Sequence, residues 1–292
     1  MRPLLNRWYV SSGFRTLVPV VTLMGFLAVF MAIATALTKT ITPDGTSHPR
    51  NAEGLAFKQG ELLVFRALYY SRLTGNVPAG DVSFEIRPET VVVEGQECMH
   101  VVGQAHTRGV FNFFYKVENI YETFISKEAL APVRFSRNIR EGRYRREDNV
   151  VFDHQSGRAA SERDTITTGP YIQDVLSIFY YFRTFDMDTL SPGEYFMVDF
   201  YLRDSVYVSR VMFEGREQVT TSLGTFNTMR FIPEMQKGTT FEQRYPMTLW
   251  LSDDRNRIPV RMESGMVVGN ARFDLEGFRG LRHDLDSFVP QP

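Results

Sequence analysis

Asp81-Val82-Ser83-Phe84-Glu85-Ile86-Arg87 sets Val82, Phe84 and Ile86 on one side of an extended chain and the polar residues on the other. Side chains along a strand alternate with a period of two, so the stretch reads as a half-buried β-strand, one face on a core and one toward water. The same alternation returns at Phe111, Phe113, Tyr115 and Val117 against Asn112, Lys116 and Glu118. It returns again at Val267, Gly269, Ala271, Phe273 and Leu275 against Val268, Asn270, Arg272 and Asp274.

Turn residues punctuate the chain between such runs. Arg203-Asp204 separates Tyr195–Leu202 from Ser205–Phe213, and Leu223-Gly224 separates Gln218–Ser222 from Thr225–Ile232. Asp253 to Asn256 separates Met247–Leu251 from Ile258–Glu263, and Ser264-Gly265 leads into Met266–Leu275. Short strands joined by Gly-, Asp- and Asn-rich turns at roughly 8–12-residue spacing predict an all-β fold. Its expected form is a curved antiparallel meander, a half-barrel or open barrel. The strand–helix alternation of a parallel sheet is missing.

One segment departs from period two. In Gly169 to Arg183, Ile172, Val175, Leu176, Phe179 and Phe182 fall at helical spacing, with Pro170 suited to a first helical position and Asp174 in the first turns. The spacing predicts an amphipathic helix over 170–185, whose apolar stripe the concave face of the sheet would cover. Such a helix is either a core plug or a lid over a ligand cavity.

Upstream, Leu17 to Leu37 carries no charge, and Arg2, Arg7 and Arg15 precede it. About 20 apolar residues match a hydrocarbon core of about 30 Å, and the leading cations put the N-terminus on the cytoplasmic side. Ala32-Ile33-Ala34 and Ala34-Thr35-Ala36 offer the small-x-small pattern of a cleavage site, so residues 1–37 are either a signal peptide or a single transmembrane anchor. A linker over 38–54, a β-rich exported domain over 55–280 and a C-terminal tail over 281–292 complete the expected organisation. The expected address is the bacterial cell envelope, periplasmic or anchored in the inner membrane, where no ATP pool exists.

Composition narrows the chemistry. A formal net charge of −1 over 292 residues argues against a nucleic-acid partner, which needs a concentrated basic surface. The densest basic run, Arg134 to Arg146, is interrupted by Glu141 and reads as a solvated strand face, with contact to an anionic lipid surface as the alternative. Cys98 is the only cysteine, so no intrachain disulfide staples the fold, and burial of 24 Phe and 13 Tyr must stabilise it instead. Cys98 itself reads as a small apolar core residue.

No catalytic constellation emerges. The five histidines, His48, His100, His106, His154 and His283, form no i, i+4 pair, and His100 and His106 lie too far apart along one strand to share a metal. Asp186/Asp188 and Asp253/Asp254 hold close carboxylates, as a glycosidase would need, but Asp253/Asp254 lies in a tight turn, where Asp hydrogen-bonds its own backbone. No nucleophile elbow or phosphate-binding loop is present. The expectation is therefore no catalytic residue, no metal and no cofactor. The residues singled out as ligand contacts or as a clasp on the helix are Asp174, Ser177, Phe179, Arg183 and Trp250. Arg183 ends an apolar helix and is expected to pair with a carboxylate or with strand carbonyls.

Three motifs in order resemble the bacterial family catalogued as domain of unknown function 3108. They are Phe57-Lys-Gln-Gly60-Glu61-Leu62, the Asp174-Val-Leu-Ser177…Arg183 helix, and Leu249-Trp250-Leu-Ser-Asp253-Asp254-Arg-Asn-Arg-Ile258-Pro259-Val260, followed by Gly269 and Leu275. The resemblance covers about residues 55 to 276. It implies an exported envelope protein and no particular activity. The β-rich shape with a helix is also similar to the outer-membrane lipoprotein carriers, an analogy of fold alone; a retained anchor would prevent their free shuttling. The functional expectation is a non-catalytic envelope protein binding a lipid, acyl chain or lipoprotein in a curved sheet. An interaction scaffold is the alternative, and a glycan or lipid hydrolase a third reading.

Overall fold

The computed structural model describes residues 55–71, 75–234, 247–265 and 270–289. The Leu17–Leu37 segment and the 38–54 linker lie outside the described residues. No helix among the described residues is long and apolar enough to cross a membrane.

The strands run in chain order as β1 (Leu62–Ser71), β2 (Gly75–Val93), β3 (Gln96–Thr107), β4 (Glu118–Ser126), β5 (Pro132–Glu141), β6 (Tyr144–Asp153), β7 (Arg158–Ser161) and β8 (Thr165–Thr167). After an interruption come β9 (Tyr195–Tyr201), β10 (Val206–Thr221), β11 (Gly224–Glu234), β12 (Met247–Ser252), β13 (Pro259–Gly265), β14 (Asn270–Arg279) and β15 (Phe288–Val289). Two short helices complete the set, α1 (Gly109–Phe114) and α2 (Ser177–Phe182).

All the strands join one antiparallel sheet in the order β8-β7-β6-β5-β4-β3-β2-β1-β14-β13-β12-β11-β10-β9, with β15 on β11. Two meanders, one from each half of the chain, are thus joined where β1 pairs with β14 from Leu62↔Arg279 to Tyr70↔Asn270. The short β8 and β9 form the two ends of the path, and α2 lies in the chain between them. This is the curved all-β meander that the alternation predicts.

Burial follows the alternation. Leu63, Phe65, Ala67 and Tyr69 of β1, Val82, Phe84 and Ile86 of β2, and Ala271, Phe273 and Leu275 of β14 are all buried. The outer face carries cross-strand ion pairs: Arg66–Glu276 at 2.7 Å, Arg261–Asp274 at 2.5 Å and Arg272–Glu263 at 2.6 Å. Partly exposed pairs of this kind contribute little to stability individually; they match neighbouring strands on the solvated side.

Several expectations are corrected. Residues 111–117 are not a strand: α1 takes Gly109–Phe114 and leaves Phe113 exposed. Gly109, at φ +57, turns the chain out of β3, and the Thr107 hydroxyl accepts the Val117 N–H at 3.0 Å, closing a compact connection. Gln218–Ser222 is not a separate strand but the continuation of β10 past a register shift between Phe213 and Gly215. The helix expected over 170–185 is confined to Ser177–Phe182, and Pro170 lies well outside it. Gln173 instead bridges β9, its carbonyl accepting the Tyr201 N–H at 2.7 Å, so the chain there pairs with the sheet rather than coiling. Nor is the solvated reading of Arg134–Arg146 complete, because Arg137 points inward and is buried. In the stretch expected as a C-terminal tail, Phe288–Val289 pairs with β11.

Candidate functional site

Helix α2 is almost wholly buried, with Phe179 partly so. Ser177, Ile178, Tyr180, Tyr181 and Phe182 are all buried, so it is an interior helix rather than an amphipathic one. Aromatic contacts tie it to both halves of the sheet. Phe179 stacks on Phe84 of β2 with centroids 5.5 Å apart, Phe182 meets Phe231 of β11 edge-on at 5.2 Å, and Tyr180 meets Phe57 at 5.1 Å. Gly103 of β3 lets the chain before the helix come close: a Cβ there would stand 3.3 Å from Leu176 and from Phe84.

Both ends of the helix are held by buried polar groups. At the N-terminal end, Asp174 Oδ1 accepts the backbone N–H of Leu176 at 2.7 Å and of Ser177 at 2.8 Å, while the Ser177 hydroxyl accepts the Asp174 N–H at 2.8 Å. This reciprocal arrangement satisfies donors that a helix start leaves unpaired. The Thr123 hydroxyl of β4 donates to Asp174 Oδ2 at 2.5 Å, fastening the cap to the sheet. Burial pushes the Asp174 carboxyl up to about 6, although these donors pull it back down.

At the C-terminal end, Arg183 and Glu61 form a fully buried pair. Arg183 Nη1 donates to Glu61 Oε1 at 2.6 Å and Nη2 to Oε2 at 2.8 Å, a two-pronged guanidinium–carboxylate contact. The remaining donors reach the Asn256 carbonyl, from Nε at 3.0 Å and Nη2 at 2.9 Å, and the Ala56 carbonyl at 3.2 Å. The guanidinium also lies over the rings of Phe57 and Tyr180. Burial works against the Arg183 charge, but Glu61 beside it raises the pKa overall. Asn256 is positioned in turn by the β12–β13 turn, where Asp254 Oδ1 accepts the Asn256 N–H at 2.9 Å and the Ser252 hydroxyl at 2.9 Å.

Between α2 and the β9–β13 half of the sheet, the fold leaves an apolar slot open to one side. Phe179 and Phe182, Val198 of β9, Val211 of β10, and Leu249 and Leu251 of β12 are among its walls, and Ser209 is the only polar side chain among its described lining residues. The cavity measures about 40 Å³, room for about three water-sized spheres, whereas drug-sized ligands occupy about 300–1,000 Å³. The slot is therefore far smaller than a drug-sized cavity.

The structure brings together four of the five residues singled out from sequence. Asp174 and Ser177 cap α2, Phe179 borders the slot and Arg183 closes the far end. Trp250 does not join them. Its neighbours Leu249 and Leu251 face the slot, so Trp250 points to the outer face, where its Nε1–H donates to Glu217 Oε1 at 2.6 Å and Arg230 covers its ring. Sequence reading did not identify Glu61, Asn256 or Thr123 as the partners of the helix. Glu61 stands in a quoted motif, but its contact with Arg183 spans 122 positions of sequence. Among the described residues, no group of three His, Cys, Asp or Glu side chains is placed to hold a metal ion.

A curved antiparallel sheet wrapped around a capped and clasped interior helix defines a β-barrel-like class of domain. The chain belongs to the family described as protein of unknown function (DUF3108), whose profile matches residues 66–276. A crystal structure of a β-barrel-like DUF1849 protein from Brucella abortus shares this fold at a TM-score of 0.54 and 11% identity, covering 76% of this chain and 98% of that one. More distant likenesses are a candidate lipoprotein from Parabacteroides distasonis (TM-score 0.37, 12% identity, 77% of this chain and 98% of that one) and a candidate exported protein with YmcC-like fold from Bacteroides fragilis (TM-score 0.32, 12% identity, 80% and 99%). No curated protein matches the sequence.

Proposed function

We propose that this protein is a non-catalytic cell-envelope module that binds a hydrophobic or amphipathic ligand, with an acyl chain entering the slot beside Phe179. The observation that supports this reading is the slot's chemistry: a nearly all-apolar wall at the open side of an interior helix, with Ser209 its one polar side chain among the described residues. The present volume admits the end of a chain. Deeper occupation requires Phe179, which is only partly buried, to swing off Phe84. The uncharged Leu17–Leu37 stretch behind three arginines supports the envelope address.

The test is native mass spectrometry of the full chain, with and without added palmitate, beside a Val211→Trp variant that fills the slot. Stoichiometric palmitate on the parent and none on the variant is the expected result. A parent that takes up no fatty acid and carries no co-purifying lipid overturns the reading. In that case, one stable cross-linked neighbour in whole cells would favour the interaction scaffold.

A further inference from the structure

The basic run around the β5–β6 turn and the exposed Phe113 meet at one end of the sheet. β3 ends at Thr107, β4 begins at Glu118, β5 ends at Glu141 and β6 begins at Tyr144. These neighbours are antiparallel, so their termini share one rim. Helix α1 and the β5–β6 turn lock together there. Glu141 bridges Val117, the Gly142 N–H donates to the Lys116 carbonyl at 2.9 Å, and a Cβ on Gly142 would stand 2.8 Å from the Tyr115 ring. The two connections therefore form one surface.

Its apolar part is turned outward by the helix. Phe111 packs edge-on against Tyr69 of β1 with centroids 6.5 Å apart. Residues two apart on a helix point roughly 200° apart, so Phe113 faces away from the sheet and is 86% exposed. Tyr144, at the start of β6, is half-exposed. A single exposed ring is ordinary on a protein surface; the charge beside this one defines a partner.

Residues 137–148 carry five arginines against Glu141, Glu147 and Asp148, with all three acids counted as charged. On the α1 side the charges balance, because Arg108 pairs with Asp81 and Lys116 with Glu118 at 2.7 Å. Arg140 and Arg145 stand directly opposite each other across β5 and β6, where like charges destabilise a sheet. Their hydrogen bonds go to neutral acceptors: Arg140 Nε donates to Asn138 Oδ1 at 3.2 Å, and Arg145 Nη1 to the Gly142 and Tyr144 carbonyls, both at 2.8 Å. Glu118 is within electrostatic reach of both arginines, but its own bond is to Lys116. Arg143 is exposed in the turn between them.

We propose that this rim docks on an anionic bilayer, with Phe113 entering the headgroup layer and Arg140, Arg143 and Arg145 lying against lipid phosphates. An anionic surface relieves the repulsion between Arg140 and Arg145 and gives the exposed ring an apolar boundary to enter. The rim stands apart from the slot beside α2 and does not depend on it.

The test places the full chain in nanodiscs of phosphatidylcholine, with or without phosphatidylglycerol, whose acyl chains carry bromine to quench nearby indoles. Phe113→Trp adds a reporter, read as the emission in excess of the parent, which has Trp8 and Trp250. Excess emission quenched in the phosphatidylglycerol discs and not in pure phosphatidylcholine is the expected result. Adding Arg143→Glu and Arg145→Glu should restore that emission. Salt at about 1 M, which shortens the screening length to about 3 Å, should do the same and keeps the test open if the charge-reversed chain does not fold. Excess emission that is unquenched in both lipids, quenched alike in both, or indifferent to salt overturns the proposal.

Discussion

Glu61→Gln is the most informative single change in the helix clasp. The substitution keeps the shape and one acceptor but removes the charge opposite a guanidinium that is itself fully buried. Arg183 would retain the Asn256 and Ala56 carbonyls and one of its two contacts to residue 61, and would lose the other, where an amide NH2 would face a guanidinium N–H. Breaking one side of a buried pair costs about 3–5 kcal/mol, because the surviving charge is uncompensated in a low-dielectric site. Domain stabilities run about 5–15 kcal/mol, so the loss is a large share of the total. A fall of roughly 6–20 °C in Tm is expected, at about 2–4 °C per kcal/mol for a domain of this size. Urea unfolding followed by tryptophan fluorescence measures the free energy directly. The double variant Glu61→Leu/Arg183→Met removes both charges. It should recover part of the loss, with the two orphaned carbonyls keeping it below the parent. A Glu61→Gln variant within about 1 kcal/mol of the parent would refute the reasoning. So would a double variant less stable than either single one.

Asp174 ties stability to pH in an unusual direction for a carboxylate. Its pKa is raised to about 6 in the folded chain, so its contribution is fully present below about pH 4 and is lost as pH rises through 6, a change of about 3 kcal/mol. Asp174→Asn should flatten that part of the stability–pH curve, and an unchanged slope would exclude Asp174 as its source. His154 acts in the opposite sense. Burial lowers its pKa, Nε2–H donates to the Pro132 carbonyl at 2.8 Å, and Nδ1 accepts the Tyr171 N–H at 3.1 Å. Its contribution is present above about pH 6.5 and is lost as pH falls, so His154→Gln should remove an acid-side decline visible by hydrogen exchange at Tyr171. Gly280→Ala should destabilise by about 1–3 kcal/mol, because φ is +68 and a Cβ would stand 2.3 Å from the Gly60 carbonyl oxygen. Denaturation of the alanine variant at parental urea concentrations would count against that close approach.

The sheet was legible because its signal is local. Val82, Phe84 and Ile86 need only the period of two to declare an inner face, and their burial agrees. The helix boundaries were not legible, because the competitor for residues 171–174 is the edge of β9, far along the chain. The Phe111–Val117 alternation imitated a strand, and the clue against it was Gly109, which breaks the run just upstream. Arg137 was masked by the charges around it, yet its parity with Val133, Phe135 and Ile139 was present in the sequence and pointed inward. In the helix clasp, the need of Arg183 for a carboxylate or carbonyls was readable from its apolar setting. Which ones it finds depends on a fold that brings Glu61 and Asn256 to the same spot.

The pairing of β1 with β14 bears on how the chain reaches its final form. Arg66 and Glu276, which meet across that seam, stand 210 positions apart. Each meander can assemble from neighbours as it emerges, but the seam must wait for the last long strand. Until then β1 and β14 expose unpaired backbone edges, the template on which other chains add strands and aggregate. For a polypeptide delivered N-terminus first, the interval between the first strand and the fourteenth is the vulnerable one. A holdase that shields β1 during delivery would raise the yield of the finished sheet without touching its final stability.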